Sequence, residues 1–175
     1  VTGCLHGCEY CYAKAIANRF GWHANEPDIN ERILHEIPVF DGKKQPYPFD
    51  FAPTFHQYRL GEPAAWTKPR TIFVCSMADL FGDWAPEWIK RVFEACEAAP
   101  KHRYLFLTKN PARYIELAEK DILPDGADNM WFGSTATTPE TEFFFSGGHN
   151  TFLSIEPILK PFHDSLDAGV QACEK

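Results

Sequence analysis

The chain has 175 residues, of which 45% are hydrophobic, and a formal net charge of −7. This length suits one domain with a substantial core, and we assign residues 1–175 to a single domain. The net charge argues against a protein that coats nucleic acid electrostatically, because such binding depends on clustered Lys and Arg. No apolar run is long enough to cross a bilayer, so no membrane partner is expected.

Three of the six cysteines lie close together near the start of the chain, with the spacing C-x3-C-x2-C over Cys4, Cys8 and Cys11. Thiolates are ligands that iron–sulfur clusters and zinc prefer, and three on one short loop can face a single metal centre. This crowding favours metal binding in a reducing, cytoplasmic environment over a secreted disulfide framework. No fourth ligand stands at the usual zinc spacing, which favours an open coordination position. Zinc with His6 or a distant residue as fourth ligand is the alternative.

The cysteine loop leads directly into a predicted helix over Tyr12–Phe20, with Ile16 and Phe20 on one face and Gly21 at its end. The positive N-terminal end of this helix would favour an anionic cluster on the loop.

An irregular, proline-containing stretch follows over residues 22–48, and we interpret it as a lid-like insertion in which only 29–37 could carry a short helix. Residues 49–56 predict an edge strand that Pro53 interrupts.

The pattern is clearer after residue 68. Apolar runs predict strands over 70–76, 103–108, 130–135 and 151–156, and the first of them is expected to be covered on both faces. Helices are predicted from Pro86 and over 112–120, and a further helix is predicted to start at Thr138. Strands that alternate with helices predict an α/β fold with a parallel sheet.

Helical spacing also predicts which side chains face the core. In the helix from Pro86, the inward residues are Trp88, Ile89, Val92, Phe93 and Cys96. In the helix over 112–120, Tyr114, Ile115, Leu117 and Ala118 are expected to point partly inward. Cys75, in a predicted strand, and Cys96 are interpreted as small buried hydrophobic residues without a chemical role.

The cysteine loop, with Tyr10 before its last cysteine and β/α units after it, resembles the radical S-adenosylmethionine (radical SAM) superfamily. Within that superfamily, four segments of the chain are similar to a phage- and bacteria-associated family of radical-SAM-like proteins whose activity is not established. These segments are residues 11–13, 76–81, 107–109 and 153–157. Members of that family continue into a further strand and a glycine-rich segment, and this chain starts at Val1. Truncation at both ends is therefore expected.

The resemblance implies a partial (β/α)6-type radical SAM barrel, similar to a TIM barrel. It implies a [4Fe–4S] cluster on Cys4, Cys8 and Cys11, and an enzyme that cleaves S-adenosylmethionine reductively to a 5′-deoxyadenosyl radical. Flavodoxin or ferredoxin would serve as reductant, and the phage association makes a nucleic acid or nucleotide the first candidate substrate. The residues that would hold the cofactor or substrate are Tyr10, Ser76, Asp79, Thr108, Lys109, Ser134 and Glu156.

Two other functions stay open: a non-catalytic zinc or iron–sulfur binding module, and a β/α scaffold that has lost its cluster and binds a nucleotide. Structural roles also compete at single residues, because Asp79 could cap a turn and Lys109 could be a solvated loop lysine. Glu156 could be structural, and Tyr10 could serve packing alone. A basic group, Lys101, Arg103, Lys109 and Arg113, is interpreted as a solvated helix end and loop.

Overall fold

A computed structural model describes residues 1–21, 28–82, 84 and 86–162. The helices are α1 (Tyr12–Phe20), α2 (Glu62–Ala65), α3 (Pro86–Glu97) and α4 (Ala112–Glu119), with 3-10 turns at Ile29–Glu31 and Gln57–Arg59. The strands are β1 (Ile33–Leu34), β2 (Val39–Phe40), β3 (Lys43–Lys44), β4 (Phe55–His56), β5 (Thr71–Phe73), β6 (Arg103–Thr108), β7 (Met130–Ala136) and β8 (Asn150–Ile155). None of the described helices has the length and apolar content needed to cross a membrane.

The centre of the fold is a four-stranded parallel sheet in which β5, β6, β7 and β8 lie side by side in chain order. This confirms the predicted α/β class. Strands β5 and β8 form the two edges, so within the described residues the sheet is open and does not close into a barrel. Two small pairs lie apart from it, β1 with β4 and β2 with β3.

One face of the sheet carries the hydrophobic core. The ring of Phe93 on α3 lies 5.2 Å from that of Phe106 and 6.1 Å from that of Phe132, and Tyr114 on α4 lies 5.5 Å from Phe132. Both crossover helices therefore cover the same side, as right-handed connections between sequential parallel strands require. The opposite side, here called the open face, carries alternate strand residues that include Phe73, Leu105 and Trp131.

The prediction for the first strand of this sheet is wrong in extent and burial. Strand β5 spans only Thr71–Phe73, and Thr71 and Phe73 are exposed. The strand stops because Cys75 adopts a positive φ of 57°, which is incompatible with extended backbone. Cys75 thus lies outside a strand and is only half-buried, whereas Cys96 is buried as predicted.

The predicted helix from Thr138 does not form. Instead, the hydroxyl oxygen of Thr141 accepts hydrogen bonds from the backbone N–H groups of Thr137 and Thr138, at 3.4 and 3.2 Å, and the segment folds into a turn. Phe144 then packs against Tyr114, with 5.0 Å between the ring centroids. The aromatic run therefore contributes to the core without helical backbone.

Two predicted helix faces also differ from the structure. Helix α1 has the predicted bounds, but it buries Ala13 and Ala17 and leaves Ile16 and Phe20 exposed. In α4, Tyr114 and Leu117 are buried as expected, but Ile115 is 54% exposed and Ala118 is exposed as well.

The region before the sheet carries less regular structure than predicted. Residues 29–37 form a 3-10 turn and β1 in place of a short helix, and the predicted edge strand over 49–56 is reduced to β4. The part of the expected lid over 22–27, and the tail after residue 162, lie outside the described residues.

His56 on β4 is a buried histidine that connects this region to the start of the chain. Its Nε2 shares a hydrogen bond of 2.8 Å with the Thr2 hydroxyl, and its Nδ1 lies 3.2 Å from the Tyr58 hydroxyl. Burial lowers the pKa of His56 from its ordinary value to about 3, with the positive N-terminal amino group and Arg59 acting in the same direction.

Acidification is expected to destabilise the protein through His56. The unfolded chain takes up a proton at His56 as the pH falls through about 6.5, whereas the folded chain does not until about pH 3. The free energy of unfolding should therefore fall by about 1.4 kcal/mol per pH unit below pH 6.5 through this group. Denaturant unfolding at pH 7, 6 and 5 should show a shallower decline in His56→Gln than in the wild type. His35→Gln, at an exposed position, is the control and should keep the wild-type slope.

The packing of the aromatic core predicts that Phe93→Ala strongly lowers the free energy of unfolding. Phe93 is 2% exposed and contacts Phe81, Phe106 and Phe132, so truncation leaves a cavity that costs about 3–5 kcal/mol of unfolding free energy. Ile115→Ala on the exposed side of α4 should cost less than about 1 kcal/mol. Equal losses in the two variants would contradict this assignment of the core.

Candidate metal and cofactor site

The cysteine loop is fixed at the carboxyl end of the sheet by the residues that precede it. Thr2 donates its N–H to the Thr54 carbonyl oxygen at 3.0 Å, and Gly3 donates to that of Met77 at 2.9 Å. Gly3 has a φ of +83°, and a Cβ atom at this position would lie 2.3 Å from the Ala52 carbonyl oxygen. Only glycine fits where the chain passes this close to its neighbour.

The three thiols of the loop share two adjoining cavities. One cavity, of about 160 Å³, opens towards the sheet, and the other, of about 400 Å³, opens towards residues 49–52. Both cavities are lined by Cys4, Cys8 and Cys11. The Cys4 and Cys11 sulfur atoms each accept a backbone N–H, from His6 and from Lys14, at 3.4 Å. Cys11 is also the N-cap of α1, so the positive end of the helix faces its sulfur.

The Cys4 thiol is protonated at neutral pH in this arrangement. Burial raises its pKa to about 11, the neighbouring Asp79, Cys8 and Cys11 act in the same direction, and the N–H of His6 opposes them. A metal that binds here would have to displace the proton. The five described cysteines are all free.

Asp79, which follows β5, is the centre of a hydrogen-bond network between the loop and the sheet. Its Oδ2 accepts from the Lys109 N–H at 2.9 Å and the Thr108 hydroxyl at 2.9 Å, and it lies 2.8 Å from His6 Nε2. Its Oδ1 accepts from the Phe81 N–H at 3.0 Å. The residue is only 5% exposed. One carboxylate thus joins the cysteine loop, its own turn and the end of β6.

Two aromatic side chains border the thiols. The ammonium group of Lys109 lies 5.8 Å from the centre of the Tyr10 ring, within reach of a cation–π interaction. Partial burial raises the pKa of Tyr10, and the nearby Cys8 and Cys11 thiols raise it further. Tyr12 donates its hydroxyl to the Ser76 carbonyl oxygen at 2.9 Å. The first turn of α1 is therefore hydrogen-bonded to the segment that follows β5.

The structure brings most of the predicted cofactor-binding residues together. The cavity of about 160 Å³ is lined by the three cysteines together with Ser76, Asp79, Thr108 and Lys109. Tyr10 lies beside this cavity, where its ring contacts the Lys109 ammonium group.

Two of the predicted residues do not reach this cavity. Ser134 is fully buried and accepts the Phe144 N–H at 2.9 Å, and Glu156 is exposed and accepts the Ser154 hydroxyl at 3.0 Å. These partners give both side chains a role in local structure.

Two residues of the site were missed. The zinc alternative makes His6 a metal ligand, whereas in the structure His6 connects the loop to Asp79. Thr135 lines the cavity in place of Ser134, because alternate residues of β7 point to opposite faces and Thr135 is on the open face. Strand alternation could have distinguished Thr135 from Ser134, whereas no sequence signal pairs His6 with a residue 73 positions away.

Among the described residues, no group of three or more His, Cys, Asp or Glu side chains is arranged to hold a metal ion as it stands. The donor set nevertheless suits an iron–sulfur cluster, because it offers three soft thiols with N–H groups directed at two of the sulfur atoms. Gly7, at the tip of the loop, has a positive φ and open space around it. The thiols would have to converge for a cluster to bind.

Replacement of Asp79 by asparagine should destabilise the protein. The amide keeps one acceptor oxygen but places an NH₂ group against backbone and hydroxyl donors, so we expect a loss of about 2–4 kcal/mol in unfolding free energy. His6→Ala removes only the partly exposed arm of the network and should cost less than about 1 kcal/mol. Denaturant unfolding of both variants checks the ranking, and an Asp79→Asn effect no larger than that of His6→Ala would contradict it.

Comparison with curated proteins and with solved structures finds no significant match to this chain. The model of the family described as "Protein of unknown function (DUF5131)" matches residues 1–169. Since the match spans nearly the whole sequence, the chain belongs to this family.

Proposed function

We propose that this protein is a radical SAM enzyme that binds a [4Fe–4S] cluster through Cys4, Cys8 and Cys11 and cleaves S-adenosylmethionine reductively. The observation that carries the proposal is the shared cavity, which the three thiols line together with residues that follow β5 and β6. In barrel-type α/β enzymes the carboxyl ends of the strands are the end that carries the site. A structural metal staple would not need a cavity at this position.

The fold supports the proposal in its coarse features. Parallel strands in chain order, with both crossover helices on one face, are the arrangement found in a segment of a β/α barrel. We therefore propose that the open sheet is part of a (β/α)6-type barrel, with the open face towards its interior.

The chemistry that such a cluster supplies when bound is transfer of one electron, from a flavodoxin or ferredoxin, to the sulfonium group of S-adenosylmethionine, which gives methionine and a 5′-deoxyadenosyl radical. The chain's own residues would bind and orient the cofactor. The Ser76 hydroxyl and the Lys109 ammonium group line the cavity and can donate hydrogen bonds to a carboxylate. Phe73 and Leu107 form an apolar wall that would keep water from a radical.

Asp79 has a different role in this proposal. Its two oxygen atoms are engaged by four protein groups, so it is a positioning residue rather than a direct ligand. It would hold the cysteine loop, through His6, at a fixed distance from Thr108 and Lys109.

A second candidate function is a zinc-binding module with three cysteines and one histidine. The observation that favours it is the bond between His6 Nε2 and Asp79, because histidines that bind metal usually donate their other ring nitrogen to a carboxylate or carbonyl group. His6 Nδ1 would then be the fourth ligand. Such a site would be closed and structural.

Anaerobic reconstitution with iron and sulfide distinguishes the two functions. A radical SAM enzyme should bind one cluster per chain, lose the cluster absorbance in Cys8→Ala, and form 5′-deoxyadenosine from S-adenosylmethionine under reduction. Zinc in the protein as purified, together with no 5′-deoxyadenosine from the reconstituted protein, would overturn the proposal.

The matched control for the histidine is His6→Ala. A zinc site of three cysteines and one histidine should lose metal affinity in this variant by about 10-fold or more, since a ligand is removed. An iron–sulfur site on the cysteines alone should retain its iron and its absorbance. Cys96→Ala, at a buried cysteine outside the cavity, should leave metal content unchanged under either function.

A further inference from the structure

We propose that Lys14 on α1 raises the reduction potential of the cluster that the three cysteines would hold. The inference rests on the proposed function, because it names the residue that tunes electron uptake at the same site. It concerns the cavity of about 400 Å³ that extends from the thiols towards residues 49–52, here called the outer cavity. The cavity of about 160 Å³ towards the sheet is called the inner cavity.

The two cavities differ in the charged groups that line them. The inner cavity has Lys109 and Asp79 beside the thiols, whereas the outer cavity has Lys14 and Asp50. His6 lines both cavities, but its Nε2 lies 2.8 Å from the Asp79 carboxylate. Since Lys109 is already assigned to the cofactor carboxylate, Lys14 is the lysine at the thiols whose role is still open.

The packing of α1 fixes the position of Lys14. Ala13 is 6% exposed and Ala17 is fully buried, so this side of the helix lies against the rest of the protein. Lys14 also donates its backbone N–H to the Cys11 sulfur atom at 3.4 Å. Lys14 therefore stays within one helical turn of the last cysteine, and a rearrangement of the loop tip around Gly7 need not displace it.

The outer cavity is the solvent side of the thiols. Lys14 and Asn18, one turn apart on the same face of α1, line it together. The facing wall is attached to the loop, because the Phe51 carbonyl oxygen accepts the Cys4 N–H at 3.2 Å. Leu5 also lines the cavity and is 65% exposed, and none of the lining residues belongs to β5–β8.

The positive charge of Lys14 is not neutralised by a carboxylate. Among the described residues, no ion pair includes Lys14. Glu9 is exposed and lines neither cavity. The Asp50 carboxylate is directed at the end of α1, where it takes the space that a Cβ on Gly21 would need. Helix α1 itself contains no acidic residue.

A cation at this position favours the reduced state of an iron–sulfur cluster. Three thiolates give such a cluster a net negative charge, and net charge is one of the factors that set its reduction potential. Reduction adds a further negative charge, so a nearby ammonium group stabilises the reduced form more than the oxidised form. Because Lys14 is exposed, water and salt weaken the interaction, and the effect is moderate.

The consequence for the proposed reaction concerns the electron donor. A cluster that is easier to reduce accepts its electron from a weaker reductant. The backbone N–H groups of His6 and Lys14, bonded to the Cys4 and Cys11 sulfur atoms, act in the same direction. Those donors belong to the main chain, whereas the Lys14 ammonium group can be removed by substitution.

A redox titration of the reconstituted protein, followed by electron paramagnetic resonance of the reduced cluster, tests the proposal. At the midpoint potential of the wild type, the ratio of reduced to oxidised cluster should fall about 3-fold in Lys14→Gln and about 10-fold in Lys14→Glu. Lys14→Arg keeps the charge and should titrate as the wild type does. The difference between Lys14→Gln and the wild type should shrink between roughly 50 and 500 mM salt.

Arg19→Gln is the matched control, since it removes a positive charge from the same helix at a position that lines neither cavity. The Arg19 guanidinium group lies 5.3 Å from the centre of the Phe20 ring. Arg19→Gln should titrate as the wild type does, and all variants should bind equal amounts of iron. Equal shifts in Arg19→Gln and Lys14→Gln would overturn the proposal, as would lower iron content in Lys14→Gln with an unchanged potential.

The titration and the 5′-deoxyadenosine assay separate this inference from the proposed function. A wild-type protein that binds a cluster but forms no 5′-deoxyadenosine, with the shift present in Lys14→Gln, would overturn the proposed function and keep this inference. Formation of 5′-deoxyadenosine, with identical titrations of Lys14→Gln and the wild type, would do the reverse. Absence of any cluster after reconstitution would overturn both.

Discussion

The arrangement of the site depends on one buried carboxylate. Asp79 accepts hydrogen bonds from its own turn through Phe81, from the end of β6 through Thr108 and Lys109, and it binds His6 of the cysteine loop. A buried anion is tolerated only when such donors replace its hydration. The three segments are therefore held in one geometry, and the position of the thiols over the sheet follows from it. The residue that best explains the site is thus a positioning group rather than a ligand.

One-sided packing of the sheet determines what the remaining surface can do. The rings on α3 and α4 cover one face, where Tyr104, Phe106 and Phe132 are fully or almost fully buried. The other face keeps Phe73 exposed and joins the cysteine cavity through Leu107. The described strand positions of this second face carry no carboxylate, so the part of it that lines the cavity is apolar or uncharged. The three thiols and the strand residues that line their cavity therefore lie on the same side of the sheet.

Local patterns predicted the regular elements well where packing agreed with periodicity. The inward residues of α3, the bounds of β6 and the bounds of α1 match the structure. The predictions failed where a non-local or backbone effect intervened. Cys75 ends β5 through a positive φ, and Thr141 draws residues 137–141 into a turn that replaces the expected helix. On α1, the small residues Ala13 and Ala17 are buried, whereas the larger Ile16 and Phe20 are exposed.

The sequence by itself determined the parallel α/β class, the cysteine triplet and the polar residues after β5 and β6, because these depend on local periodicity and on side-chain chemistry. Only the tertiary structure decided which of those residues meet. It brought Ser76 and Lys109 to the thiols, turned Ser134 into the core and left Glu156 exposed. It also paired His6 with Asp79 and placed α3 and α4 on one face of the sheet. Contacts between distant residues depend on strand order, register and side-chain alternation, which a local pattern does not encode.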